Sequence, residues 1–135
     1  MNRLFLLLLL ALCLCLGCSV DKPLTAEELA GKAAKEYYDS LVAGNYEAFL
    51  NGRAGADLLP ADYRQQLLQV YEHYIRKQEK SHGGIAYVSL SNVKSDTLQS
   101  VMQAFLLLTF CDSVSEEIVV PMVECDGRWY MSSQK

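Results

Sequence analysis

The spacing of apolar residues changes at the glycine pair Gly83-Gly84, and this change limits the chain to few folds. Before the pair, apolar residues recur every three or four positions, the period of an amphipathic helix. After it, short β-rich segments alternate with turn residues. Helices followed by consecutive strands predict an α+β domain, in which N-terminal helices pack on a curved antiparallel sheet of about four strands.

Three helices are predicted before the glycine pair. The first begins at Thr25, whose side chain forms a capping box with Glu28, and ends at Gly44. A short second helix covers residues 45–52, and a third covers residues 60–80. The four predicted strands cover residues 85–93, 100–112, 115–125 and 128–132. Asp-Gly between the last two strands indicates a two-residue hairpin turn.

A register for the second and third strands follows if Cys111 faces Glu116 across the turn "DSVS". Leu108 then faces Val119, and both faces of the sheet are substantially apolar. A sheet covered on one side usually has a polar outer face. The second apolar face therefore indicates either strong curvature around a pocket or a self-association surface, including a homodimer through the sheet.

The same register separates the two cysteines of the domain. Cys125 lies nine residues beyond Glu116, so Cys111 and Cys125 would be roughly 30 Å apart at about 3.3 Å per residue. A disulfide requires Cα atoms within about 7 Å. We therefore predict no disulfide and two free, mostly buried thiols.

The N-terminus has the organisation of a secretory signal. Arg3 precedes the apolar run "LFLLLLLALCLCL" (4–16), which ends at the small residue Gly17. The run is short for a spanning helix, which needs about 20 apolar residues, so cleavage is favoured over an uncleaved anchor. The cysteine spacing C-x-C-x-x-C within this segment is a weak metal motif without a fourth ligand nearby, and we predict no metal and no cofactor.

The stretch "LCLGC" (14–18) resembles the lipobox of bacterial lipoproteins. Gly17 precedes Cys18 as in that motif, whereas Cys15 stands where the family usually has leucine. The resemblance implies cleavage between Gly17 and Cys18 and lipid attachment to Cys18. It also implies that acylated Cys18 binds the lipid bilayer, and that the protein lies in the bacterial cell envelope, with the outer membrane favoured and the facing side open.

The chain thus divides into a lipoprotein signal peptide (1–17), a lipidated N-terminus with its tether (18–24) and a single α+β domain (25–135). The formal charge of the whole chain is −4. An acidic chain gives no indication of nucleic acid as a partner.

Two segments of the domain, "YYDSLVAGNYEAFL" (37–50) and "CDGRWYMS" (125–132), resemble the nuclear-transport-factor-2-like, cystatin-like fold, as found in small domains of bacterial lipoproteins. The resemblance implies a curved sheet wrapped on a long helix to form a cone. Many members have a small hairpin between the second and third helices. Here "RAGADLLP" is too short for one.

The family includes ketosteroid-isomerase-like enzymes, so we considered an acid–base pair inside the cone. Tyr37 or Tyr38 would supply the hydroxyl, and Glu116, Glu117 or Glu124 the carboxylate. The glutamates lie next to turns, where carboxylates are usually solvated, and tyrosines on a helix stripe usually belong to the core. We assign no catalytic residue.

The two histidines, His73 and His82, are both interpreted as solvent-exposed, and neither is part of a zinc or triad pattern. We therefore expect a non-enzymatic module that binds a small molecule or another protein. The alternatives are an isomerase-like enzyme that uses the cone and a structural subunit of an envelope complex.

Overall fold

The computed structural model describes residues 22–133, which form three α-helices followed by a four-stranded antiparallel sheet. The helices are α1 (Ala26–Val42), α2 (Tyr46–Asn51) and α3 (Ala61–His82), with a 3-10 turn at Ala56–Leu58. The strands are β1 (Ile85–Asp96), β2 (Val101–Phe110), β3 (Ser115–Cys125) and β4 (Arg128–Met131), and they neighbour one another in sequence order. The predicted α+β class is confirmed.

Local capping chemistry defines the ends of the helices. The Thr25 amide donates to Glu28 Oε2 at 2.8 Å, and the Glu28 amide donates to Thr25 Oγ1 at 3.2 Å, which forms the predicted capping box. The Asn45 side chain accepts from the Ala48 amide at the start of α2. Gly83 ends α3 with φ of 73°, a left-handed conformation that glycine adopts without steric cost.

Helix α1 lies across the sheet and packs against all four strands. Ala30 and Ala34 are fully buried in this contact, and the backbone at Gly31 lies close to Leu90 and Val93. Small side chains on this face let the helix approach the strands closely. β1 also has two register irregularities, between Ile85 and Tyr87 and between Leu90 and Asn92, and bulges of this kind bend a strand.

The register predicted for β2 and β3 is wrong by three residues. Leu108 pairs with Glu116 and Thr109 with Ser115, so Cys111 lies in the turn instead of the ladder. The turn is tighter than predicted because the Phe110 amide donates to the Val114 carbonyl at 2.8 Å. The predicted pairing of Cys125 with Arg128 is confirmed, across a turn in which Asp126 and Gly127 both have positive φ.

An odd register error exchanges the two faces of β3. Val120 and Met122 point into the core with Leu106 and Leu108 of β2, whereas Val119, predicted to share that face, is 49% exposed.

Helix α3 is attached differently from α1, because none of its 22 residues is buried. The Arg64 side chain holds its N-terminal end, donating to the Ala56 carbonyl at 2.8 Å and to Asn51 Oδ1 at 2.7 Å. At its C-terminal end, His82 Nδ1 lies 2.7 Å from Asp112 Oδ2, and the His82 ring stacks on Phe110.

Within residues 22–133 no helix combines the length and the apolar character that crossing a membrane requires. The predicted cleavage site at Gly17 and Cys18, and the predicted lipid attachment to Cys18, lie outside the described residues.

Candidate functional site

An open cleft lies between β3 and helix α3. Within the described part of the chain, β4 pairs only with the Met122–Cys125 end of β3, so the remainder of β3 has no strand on that side. Helix α3 faces this gap and leaves a cavity of about 630 Å³. We call this cavity the β3–α3 cleft; it is lined by Tyr38, Leu41, Phe49, Arg53, Val70, Tyr71, Tyr74, Glu116, Ile118, Val119, Val120, Pro121, Met131 and Ser132.

Aromatic side chains from three helices form one wall of the cleft. Phe49 packs edge-on against Tyr38 and Tyr71, with ring centroids 5.1 and 4.8 Å apart. Burial raises the pKa of Tyr38 to about 12, and the nearby Tyr74 and Tyr71 add to this effect. Burial also raises the pKa of Tyr74, with a smaller contribution from Glu116. Both hydroxyls are therefore neutral at physiological pH and can donate hydrogen bonds to a ligand.

Arg53 supplies a positive charge to this otherwise largely apolar cleft. Its backbone forms a parallel bridge with Met131, supported by a hydrogen bond of 2.8 Å from the Ala54 amide to the Met131 carbonyl. The guanidinium donates to the Tyr71 hydroxyl at 3.4 Å. None of residues 22–133 places a carboxylate in ion-pair contact with it.

The only carboxylate that lines the cleft among the described residues is that of Glu116, near Tyr74. Arg53 bridges Met131, which pairs with Met122 of β3, whereas Glu116 lies six residues before Met122 on the same strand. The cleft thus has a cationic and an anionic end, with apolar side chains between them.

Arg53 also lines a second, polar cavity of about 610 Å³. That cavity also includes Asp57, Asp126 and Arg128, and neither of these carboxylates forms an ion pair with Arg53 in the described part of the chain. The β3–α3 cleft is the better candidate for binding a ligand, because apolar lining with a few polar groups is typical of small-molecule sites.

Comparison of the three-dimensional structure with known proteins identifies the fold. A crystal structure from Campylobacter jejuni, named "Putative NTF2-like transpeptidase", matches with a TM-score of 0.62. The match covers 76% of this chain and 96% of that chain, at 12% sequence identity. The chain has an NTF2-like fold. At this identity the likeness shows the fold alone. No protein-family model and no curated protein sequence matches the chain.

The NTF2-like domain brings only some of the considered acid–base residues together. Tyr38 and Glu116 both line the cleft. Tyr37 does not, because its hydroxyl donates to the Trp129 carbonyl at 2.7 Å. Glu117 accepts from the Ser91 hydroxyl at 3.1 Å, outside the cleft. Glu124 is exposed near the β3–β4 turn and does not line it either.

The histidines and cysteines lie away from the cleft. His73 is exposed, as predicted, but His82 is only partly exposed because of its contacts with Asp112 and Phe110. Cys111 and Cys125 are free and both exposed, so the prediction of mostly buried thiols is wrong. Cys111 lies in the β2–β3 turn, and Cys125 lies at the end of β3. The described residues contain no group of three or more His, Cys, Asp or Glu side chains placed to hold a metal ion.

Sequence reasoning missed Arg53, Tyr71 and Tyr74 as cleft residues. Both tyrosines are partly buried, pack against the core and also line the cleft. Arg53 is the only charged residue in the stretch "AFLNGRAGA" (48–56), and this isolation was the available signal.

Proposed function

We propose that the protein is a membrane-tethered lipoprotein of the bacterial envelope whose NTF2-like domain binds a small, mainly apolar molecule without transforming it. The observation that carries this proposal is the β3–α3 cleft. Its volume of about 630 Å³ is within the usual range of about 300–1,000 Å³ for small-molecule sites. The lipobox-like stretch "LCLGC" supports the membrane tether.

Binding is favoured over catalysis by the position of the carboxylates. A general base of an isomerase must reach the substrate proton, and burial in an apolar site is what raises its pKa towards neutrality. Glu116 is exposed at the rim, and neither Glu117 nor Glu124 lines the cleft. The tyrosine hydroxyls therefore have no buried carboxylate among these three with which to act.

The binding proposal is tested with a fluorescent neutral dye, N-phenylnaphthylamine, whose emission increases in apolar sites. Val70 lines the cleft from α3 and is 59% exposed, so Val70→Trp fills the cleft without disturbing the core. We expect the wild-type protein to bind the dye and Val70→Trp to lose binding. Gln69→Trp is the matched control, since Gln69 is exposed on α3 and does not line the cleft. Equal dye binding by Val70→Trp and wild type would contradict the proposal.

The tether is tested by metabolic labelling with palmitate in a bacterial host. Cys18→Ala should abolish both the acyl label and retention in the membrane fraction. Cys13→Ala, in the same apolar segment, should keep both. Labelling of Cys18→Ala at the wild-type level would refute lipid attachment at this residue.

Self-association through the sheet is a second candidate role. Phe105, Leu107 and Val123 are only partly buried on the outer face, and Val119 is exposed beside them. If this face forms a homodimer, light scattering with size-exclusion chromatography should give a dimer mass that Leu107→Lys reduces to a monomer. A monomer mass for the wild type would exclude this role.

A further inference from the structure

We infer that the ligand of the β3–α3 cleft is an amphiphile with a single anionic head group bound by Arg53 and an apolar chain lying along β3. This inference rests on the proposed binding function, and it adds the chemical class of the ligand. Carboxylates and phosphates share the required head-group chemistry, because both match the planar donors of a guanidinium.

The first argument is the available charge of Arg53. Arg64 and Arg76 each form an ion pair with a glutamate, at 3.0 and 2.6 Å. Among the described residues, the Arg53 side chain, in contrast, makes only the long hydrogen bond to the neutral Tyr71 hydroxyl. A half-buried guanidinium without a counter-ion in the described part of the chain is a strong site for an anion, since charge-assisted hydrogen bonds are about twice as strong as neutral ones.

The second argument is that Arg53 is held in place. The Arg53 amide donates to the Leu50 carbonyl at 3.0 Å, and the next residue is bonded to Met131 at the end of β4. The guanidinium therefore extends from a backbone fixed at both sides. A preorganised cation loses less conformational entropy on binding than one on a free surface side chain.

The third argument concerns the far end of the cleft. Arg53 bridges Met131, which pairs with Met122, and Glu116 lies six residues along β3 from Met122, roughly 20 Å at 3.3 Å per residue. Its carboxylate disfavours a second anion at that end, while Ile118 and Val120 line the space between. These charges fit a ligand with one anionic end and an extended apolar body.

The test measures binding of four ten-carbon probes by isothermal titration calorimetry with the purified full-length chain: decanoate, decyl phosphate, decanol and decyltrimethylammonium. We expect both anions to bind at least about 10-fold more tightly than decanol, the usual effect of a hydrogen bond to a charged group. The tighter of the two anions identifies the head group as carboxylate or phosphate.

Variants locate the anion. Arg53→Gln should remove the preference for the anions and leave decanol binding unchanged, while Arg53→Lys should keep part of the preference because it retains the charge. Arg76→Gln is the matched control, since Arg76 is 69% exposed and outside the cleft. Equal binding of decanoate and decanol by the wild type, or a preference that persists in Arg53→Gln, would overturn the inference. Failure of all four probes, decanol included, would instead overturn the proposed binding function.

Discussion

Gly52, the residue that follows α2, lies close to the Tyr37 ring of α1, and Gly52→Ala tests the packing there. Gly52 is buried at the C-terminal end of α2, and its carbonyl accepts from the Met131 amide at 2.7 Å. An added Cβ would lie 2.5–2.7 Å from three ring atoms of Tyr37. The backbone itself can accept alanine, because φ is −75°. The substitution therefore isolates a steric effect.

The magnitude follows from these distances. Carbon atoms pack at about 3.5–4.0 Å, so the ring must move by about 1 Å. The Tyr37 hydroxyl donates to the Trp129 carbonyl at 2.7 Å, and a displaced ring would weaken this bond, which is worth about 1 kcal/mol. Overpacking typically costs about 1–3 kcal/mol, and the lower entropy of the unfolded chain offsets about 0.4–1 kcal/mol. We expect a net loss of about 2 kcal/mol in the free energy of unfolding.

Urea unfolding followed by circular dichroism measures this loss, and a loss of 2 kcal/mol also lowers Tm by roughly 10 °C. Gly31→Ala is the comparison, because the nearest atoms to its Cβ would be methyl groups of Leu90 and Val93, at 2.7–3.3 Å, instead of an aromatic ring. It should cost less than Gly52→Ala. In a Tyr37→Ala background, Gly52→Ala should cost less than about 0.5 kcal/mol. The packing argument fails if Gly52→Ala is neutral, or if its cost persists without the Tyr37 ring.

Three further predictions concern the core and two titrating groups. Leu106→Ala, at a fully buried position, should lower the free energy of unfolding in urea by about 2–5 kcal/mol. Val119→Ala, at a position 49% exposed, should lower it by less than about 0.5 kcal/mol. Similar costs for the two substitutions would contradict the observed faces of the sheet. The hydrogen bond with His82 lowers the pKa of Asp112 below 3.8. The ionised Asp112 therefore stabilises the folded protein fully above pH 3.8, and this stabilisation is lost as the pH falls through the folded-state pKa. The stability difference between wild type and Asp112→Asn should shrink over that acid range, and a pH-independent difference would be evidence against the pair. Burial raises the pKa of Tyr38 from 10.0 to about 12. The contribution of the neutral Tyr38 to the free energy of unfolding is therefore complete below pH 10 and is lost as the pH rises towards 12. Tyr38→Phe should therefore weaken alkaline destabilisation and remove one late step from an ultraviolet titration of the tyrosines; an unchanged titration would refute it.

The order of elements and most of their bounds were predictable because they depend on local chemistry. The capping box at Thr25, the Asp126-Gly127 turn and the change of period after Gly84 each act over a few residues. The β2–β3 register was not predictable in this way. It depends on how many residues the turn takes up, and the hydrogen bond from Phe110 to Val114 shortens it.

The candidate site was less predictable than the fold. The cleft exists because β4 ends at Met131 and leaves most of β3 without a strand neighbour within the described residues, which a sequence pattern does not reveal. Arg53 lines the cleft because its backbone bridges Met131, and these two residues are 78 positions apart in the chain. Tyr38 and Glu116 were named from the sequence for an acid–base role, and the structure places both on the cleft wall, without bringing a buried carboxylate to the hydroxyl.

The shallow packing of α3 on the domain affects how the ligand preference of the cleft can evolve. Because no residue of α3 is fully buried, many of its positions are exposed, and substitutions there usually change stability by no more than about 0.5 kcal/mol. One of these exposed positions, Val70, lines the cleft and is 59% exposed. Mutations can therefore change what the cleft selects while the α1–sheet core stays intact. An ancestral chain of this kind could diversify its ligands without first acquiring surplus stability.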